Sequence, residues 1–416
     1  MTMLAEGMFS VPRSCKLWHP NVGEGLMLIK RRSLLAASAA ASSYFLARGA
    51  EAASFKGDVE LRGTVGRLER LGRLDLESQQ DFLTNFRAWI NGDFRKAAGE
   101  RAEAIVKAAG LDPKAEVPYK AAAVMFEKDP VIMSYVRAWV SNQQQTWATI
   151  QRYFHDNADM YLAEMDAADK VGPGSVEWDA AMDIPDYTKH EIHIQPGGYV
   201  GDPFAGYINF YGVNNFYAGQ NFQDETQAAI AKAVIPPKDG KVKRILDLGC
   251  ATGRLTMQMK ERFPDAEVWG IDVGAPMVRY AHVRSLDLGL DIHYAQRLAE
   301  DTKFPDGYFD LVVSYIMFHE VTGAAAKAIV REAYRVLRPG GVFYPVDFQT
   351  GKQRPPMTAY NAFSVWWDHR WNNEVWSLQF RDVNFAQTLA DAGFAVDENI
   401  PQARRGHGKL MGTKRA

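Results

Sequence analysis

One stretch, Ile245-Leu246-Asp247-Leu248-Gly249-Cys250-Ala251-Thr252-Gly253, limits what this chain can fold into more than any other. An apolar run this short, closed by a glycine, reads as a strand buried on both faces rather than a helix. It breaks into a turn in which Gly249 and Gly253 let backbone approach a ligand where a Cβ would block it. Around it the pattern alternates. Strands are expected at 244–248, 267–273, 292–295, 309–315 and 342–347, and helices at 255–263, 276–286 and 324–337. Such alternation argues for an α/β fold, a parallel sheet with helices on both faces. A helix at 385–392 and strands at 395–400 and 409–413 complete the tail, and no internal repeat is visible.

Upstream, residues 54–185 read as helical. Leu74, Leu76, Phe82, Leu83, Phe86 and Ile90 recur near three- and four-residue spacing, and 97–109 is dense in strong helix formers. A second stretch, 130–166, carries Ile132, Tyr135, Val136, Trp139, Trp147, Ile150, Phe154 and Tyr161, an aromatic stripe expected in a core. After the break at Val171-Gly172-Pro173-Gly174, residues 196–217 are so rich in glycine and aromatics that a loop-like cover is expected, not a regular element. Pro236-Pro237-Lys238-Asp239-Gly240 marks a boundary. The expected organisation is a leader (1–53), a helical region (54–185), a cover and linker (186–240), and an α/β domain (241–416).

The leader is read from Lys30-Arg31-Arg32, an uncharged run over 33–46, and Ala50-Glu51-Ala52 as a cleavage site. Arg31-Arg32-Ser33-Leu34-Leu35 resembles a twin-arginine export signal, the kind that carries folded cargo. Such clusters sit near a start, so initiation at Met27 is expected. The destination is periplasmic if the leader is used and cytoplasmic otherwise. No uncharged apolar run reaches the roughly 18–20 residues of a spanning helix. With 47% hydrophobic and 24% charged residues the chain is not disordered, and its two cysteines cannot form a disulfide framework. A net charge of −2 draws it to neither nucleic acid nor anionic lipid.

The glycine turn gains meaning from Asp272, which closes the next strand in Gly270-Ile271-Asp272-Val273. An acidic residue about twenty positions after such a turn can accept hydrogen bonds from both ribose hydroxyls. The spacing is not that of the dinucleotide fingerprint, which disfavours a nicotinamide oxidoreductase. Asp247 would repel phosphate and suits a cationic ligand. Together with Ala299-Glu300, Phe304-Pro305-Asp306-Gly307-Tyr308-Phe309-Asp310 and Arg335-Val336-Leu337-Arg338-Pro339-Gly340-Gly341, these motifs make residues 244–349 resemble a class I S-adenosylmethionine-dependent methyltransferase. The similarity is nearest to the ubiquinone/menaquinone-biosynthesis-like (methyltransferase type 11) group.

The resemblance implies a Rossmann-like sheet, mostly parallel with an antiparallel last strand, and S-adenosyl-L-methionine as cofactor. Asp247, Gly249, Ala251 and Gly253 would hold its methionine part and Asp272 its ribose. Ala299 and Glu300 would flank the adenine, and Ser314 with Tyr315 would close the pocket. Two positions depart from the family pattern. Ala251 replaces a glycine, a small-for-small change, and Leu298 stands where an aspartate is common, which moves adenine contacts toward Glu300, Asp301 or backbone.

Displacement at a sulfonium methyl needs an aligned acceptor and, for oxygen or nitrogen acceptors, removal of a proton. His319, Asp347 and His369 are candidate bases; His319 is the expected one, with Glu320 orienting it. His190-Glu191-Ile192-His193 lacks the four-residue histidine spacing of a helical metal motif, and Pro196 follows closely, so no metal is assigned. That segment, with residues 195–199, is expected as a lid. His155 and Asp159 are expected as a solvated pair on one helix face. The aromatic covering loop of 196–217, together with Phe363, Trp366, Trp367, Trp371, Trp376 and Phe380, is expected to line the acceptor pocket, which favours a flat or apolar small molecule. Ser314-Tyr315-Ile316-Met317 stands where base-amine methyltransferases carry Asn-Pro-Pro-Tyr, so no nucleic acid is expected. Two functions survive: methyl transfer to a small aromatic or lipid-like acceptor, or a non-catalytic binding protein that keeps the fold. Oligomeric state is open.

Overall fold

A computed structural model describes residues 64–65, 68–69, 71 and 74–415. The expected leader lies outside them. A short hairpin of β1 (Thr64–Val65) and β2 (Leu68–Glu69) precedes the helices. Eight further strands form one sheet: β3 (Ser175–Glu177), β4 (Arg244–Leu248), β5 (Glu267–Asp272), β6 (His293–Gln296), β7 (Phe309–Tyr315), β8 (Leu337–Val346), β9 (Ala395–Asp397) and β10 (Met411–Thr413). Their order is β3-β6-β5-β4-β7-β8-β10-β9. All neighbours from β3 to β8 pair parallel, while β10 runs antiparallel to both β8 and β9. This is the expected sheet, mostly parallel with an antiparallel last strand.

Period-two alternation sends successive side chains of β4 to opposite faces. Leu246 and Leu248 join Ile329, Val330 and Ala333 of a helix at Gly323–Val336 on one face. Ile245 joins Leu255 and Met259 from Arg254–Arg262, and Val278 and Ala281 from Ala275–Asp287, on the other. The chain leaves β4 toward β5 on one side and later returns to pair β7 on the other, so the crevice at the carboxyl ends of these strands lies at a topological switch point.

The helical region comprises α1 (Leu74–Trp89), α2 (Arg95–Ala108), α3 (Tyr119–Phe126), α4 (Pro130–Asp156) and α5 (Ala158–Ala168). Asp129 starts α4 by accepting from the Val131 and Ile132 amides at 3.0 and 3.1 Å, with Pro130 at the first position. The buried stripe of Ile132, Tyr135, Val136, Trp147, Ile150 and Phe154 is core, as its spacing implies. The described residues from 64 onward form one compact unit.

Three expectations change. Residues 205–216 form a helix, α6 (Ala205–Phe216), rather than an irregular cover. It is buried on nearly every side, so it shows no polar stripe from which a helical period could be read. Its glycines admit close neighbours: a Cβ on Gly212 would lie 2.0 Å from the Trp147 ring, and one on Gly206 2.4 Å from Tyr280 Cβ. Phe363 and Trp367, on a helix at Ala359–Trp371, pack against Phe126, Tyr135 and Trp139 in the helical core instead of lining a pocket. His155 Nε2 pairs with Asp202 Oδ2 at 2.8 Å, not with Asp159.

Gly212→Ala is therefore expected to destabilise the fold by about 1–3 kcal/mol through overpacking against Trp147. Chemical denaturation measures it; an unchanged midpoint would contradict the contact.

Candidate active site

Three strand ends deliver the site. β4 runs into the glycine turn, β5 ends on Asp272, and β7 passes into Tyr315-Ile316-Met317; together they open onto a cavity of about 400 Å³. Gly249 has φ +64°, and a Cβ there would stand 2.6 Å from Met317 Sδ, so the turn closes against the β7 exit only as glycine. Ala251 also has positive φ, +47°, so the cost of that departure is conformational strain rather than bulk.

Asp272 is fastened to the turn. Its Oδ2 accepts from the Ala251 amide at 3.0 Å and its Oδ1 from the Gly274 amide at 2.9 Å. Burial raises its pKa, opposed by these amides. Asp247 accepts from Thr256 Oγ1 at 2.7 Å, and burial pushes its carboxyl up to about 7. The cavity's three arginines are committed to other groups: Arg254 to Asp224 and the Phe210 carbonyl, Arg297 to Glu177 and the Thr302 carbonyl, and Arg404 to the Tyr315 hydroxyl. Asp247 and Asp272 therefore meet a ligand without a local counter-cation. That set of acceptors fits the sulfonium, ammonium and ribose hydroxyls of S-adenosylmethionine.

A pH dependence follows. The folded carboxyl of Asp247 stays protonated up to about pH 7 while the unfolded one ionises near 3.8. Its stabilising contribution is thus complete below the unfolded value and is lost as pH rises through about 7. A cationic ligand favours the ionised form, so affinity is expected to rise by up to about tenfold per unit toward pH 7 and then flatten. Calorimetric titration across that range, beside Asp247→Asn, checks this; an equal slope in the variant would remove Asp247 as the cause.

Asp247, Gly249, Ala251, Asp272, Ala299, Glu300 and His319 all line this one cavity. Gly253 stands behind the turn as the residue before the helix at Arg254–Arg262. Ser314 is buried with an unpartnered hydroxyl and does not line the cavity; Tyr315, Ile316 and Met317 do. Glu300 accepts from Tyr187 Oη at 2.6 Å, which ties the segment before Pro196 to the Ala299–Glu300 wall of the cavity.

At the far end, His319 Nδ1 donates to Asp347 Oδ1 at 2.7 Å, and Asp347 Oδ2 accepts from the Phe318 amide at 2.7 Å. Burial would lower the His319 pKa, but the Asp347 and Glu320 carboxylates raise it well above the usual range. His193, set aside as a metal ligand and expected in a lid, meets Glu374, which carried no weight in the sequence: His193 Nδ1 lies 2.5 Å from Glu374 Oε1. Although burial opposes it, the neighbouring Glu374 pushes the His193 imidazole up to about 9. His369 is spent on the Glu374 carbonyl at 2.9 Å and does not face the cavity. None of the expected tryptophans lines the cavity; its aromatic wall is Tyr187, Tyr199, Phe216, Tyr217, Tyr315 and Phe348.

Residues 245–341 match a methyltransferase domain family. A demethylmenaquinone methyltransferase from Thermus thermophilus is 38% identical over 118 residues, 28% of this chain and 51% of that protein. An uncharacterized methyltransferase from Synechocystis is 35% identical over 157 residues, 37% of this chain and 68% of that one. A solved SAM-dependent methyltransferase from Aquifex aeolicus is 22% identical, covering 42% of this chain and 86% of that chain, with a TM-score of 0.31. The chain thus spans about half to two thirds of the length of these curated relatives.

Proposed function

Because this chain belongs to the class I S-adenosylmethionine-dependent methyltransferases, we propose that it methylates a small hydroxylated aromatic acceptor with apolar character. The observation that carries the reading is the single cavity. It joins the carboxylates of the glycine turn to His319 through an aromatic wall. The menaquinone-type acceptor in the Thermus relative's name agrees with such a wall.

When bound, S-adenosylmethionine supplies a methyl carbon made electrophilic by its sulfonium. Asp247 and the 249–253 turn hold its methionine part, Asp272 its ribose, and Leu298, Ala299 and Glu300 its adenine. The aromatic wall holds the acceptor ring flat and excludes water. His319 was expected as a base, but Asp347 keeps its imidazole protonated near neutrality. A protonated imidazole donates. We therefore assign His319 to the acceptor oxygen: it donates to the anion left when the acceptor's proton departs to solvent, and so makes that oxygen easier to ionise.

The test is incubation of the full chain with S-adenosylmethionine and a panel of catechols, naphthols and a reduced demethylmenaquinone. S-adenosylhomocysteine and methylated product are followed by mass spectrometry. Turnover of at least one member is expected. Tight cofactor binding with no product across the panel would instead leave a non-catalytic binding protein.

A further inference from the structure

A cluster of donors that cofactor binding does not use converges at the acceptor end of the cavity. One donor atom each from His193, Glu320 and Glu374 lies within 4.8 Å of the other two. The Glu374 side chain is 4% exposed and that of Glu320 10%. Both Glu320 oxygens, Glu374 Oε2 and His190 Nε2 are buried with no hydrogen-bond partner. His193 Nε2 stands 3.7 Å from Glu320 Oε1, and His190 Nε2 stands 3.9 Å from Glu320 Oε2. These separations are too long for hydrogen bonds. They resemble edges of a coordination shell, in which donors at about 2.0–2.2 Å from one ion sit roughly 3–4 Å apart.

The supports behind these donors are also in place. His190 Nδ1 donates to the Tyr187 carbonyl at 3.1 Å, which leaves Nε2 as the nitrogen free to bind. His193 and Ile194 both adopt left-handed backbone, φ +54° and +52°, and Trp147 Nε1 holds the His193 carbonyl at 2.9 Å. Two buried carboxylates this close are unfavourable unless positive charge sits among them. Without an ion that charge comes from the imidazoles of His193, 2.5 Å from Glu374 Oε1, and His319, 3.4 Å from Glu320 Oε1. A bound ion would replace the His193 proton. The geometry points to a site for one divalent transition ion of the zinc kind, held by His193, Glu320 and Glu374 with His190 beside them.

Imidazole nitrogens select such an ion over magnesium or calcium, which prefer oxygen alone. All three principal ligands line the same cavity as His319. An ion with a position open to that cavity would bind the acceptor's hydroxyl oxygen and lower its pKa. The acceptor class then narrows to phenols, catechols and enols. This role rests on the methyl-transfer reading; ion binding does not. The histidine spacing rule failed to find the site because it describes one face of a helix, whereas His190 and His193 sit on a strained turn.

The test is titration of the chelator-treated full chain with Zn2+ by calorimetry and with Co2+ by visible absorption. S-adenosylmethionine is titrated into the same sample. One equivalent of each metal is expected, with Zn2+ displacing Co2+. Glu320→Gln and Glu374→Gln should each weaken binding by about 100-fold or more, and His190→Ala by about tenfold. Glu100→Gln, on the exposed face of α2, should change nothing. Circular dichroism and cofactor affinity show whether each variant folds; if the Gln variants do not, the His190→Ala result decides. Less than a tenth of an equivalent in the wild type, or undiminished binding by folded variants, overturns the site. Metal binding without cofactor binding would sink the methyltransferase reading and spare the ion site. Cofactor binding without metal binding does the reverse.

Discussion

Replacing Asp272 with alanine is expected to abolish measurable S-adenosylmethionine binding. A carboxylate that accepts from two ribose hydroxyls makes two charge-assisted hydrogen bonds, each contributing about 1.5–3 kcal/mol. Losing both corresponds to roughly a 10²–10⁴-fold loss of affinity. The variant has a second effect, because Asp272 also anchors the Ala251 and Gly274 amides. With the carboxylate gone these amides lose their acceptor, so the glycine turn loosens and stability falls by about 1–3 kcal/mol per orphaned group. Asp272→Asn separates the two effects: it keeps one acceptor oxygen for the turn but not the charge. Calorimetry on wild type and both variants, with a nicotinamide dinucleotide as comparator, reads the result. Affinity within tenfold of wild type in a folded Asp272→Ala protein would remove this residue from the site.

His319→Ala is expected to lower kcat by about 10²–10³-fold, the cost of losing one donor to a developing oxyanion. Cofactor affinity should stay within about twofold, because that surface lies at the other end of the cavity. The fold should survive: Asp347 still accepts from the Phe318 and Phe348 amides, both at 2.7 Å. Asp347→Asn should reproduce part of the loss, since it withdraws the charge that keeps the ring protonated and turned inward. Steady-state rates with whichever acceptor the panel identifies separate kcat from KM. A near-normal kcat in His319→Ala would show that alignment alone carries the reaction.

The cofactor half was legible because its information is local. A buried strand, a glycine turn and an acidic residue one strand later fall within Arg244–Asp272, and each reports a backbone requirement. The antiparallel last strand came from the resemblance, not from any period in residues 409–413. The acceptor half was mostly illegible. Glu374 lies in a short turn with no period, and it meets His193 only because a distant loop folds back onto it. The tryptophans of residues 359–371 announced burial but not against what, and the structure spends two of the helix's aromatic rings on the helical core. α6 was missed for the opposite reason: buried on nearly every side, its asparagines included, it has no solvent face to read.

The hydrogen bond from Trp147 to the His193 carbonyl has a consequence for how this enzyme can change. The family match stops at residues 245–341, yet Trp147, His190, His193 and Glu374 all lie outside it. On the function proposed above, methyl-donor recognition is the inherited part, and acceptor recognition is mounted from segments around it. A lineage or a designer can therefore exchange α4 and the turn it supports to obtain new acceptors while the donor half stays intact. The converse also holds: a fragment beginning at residue 241 keeps every inherited motif but loses the prop beneath its substrate.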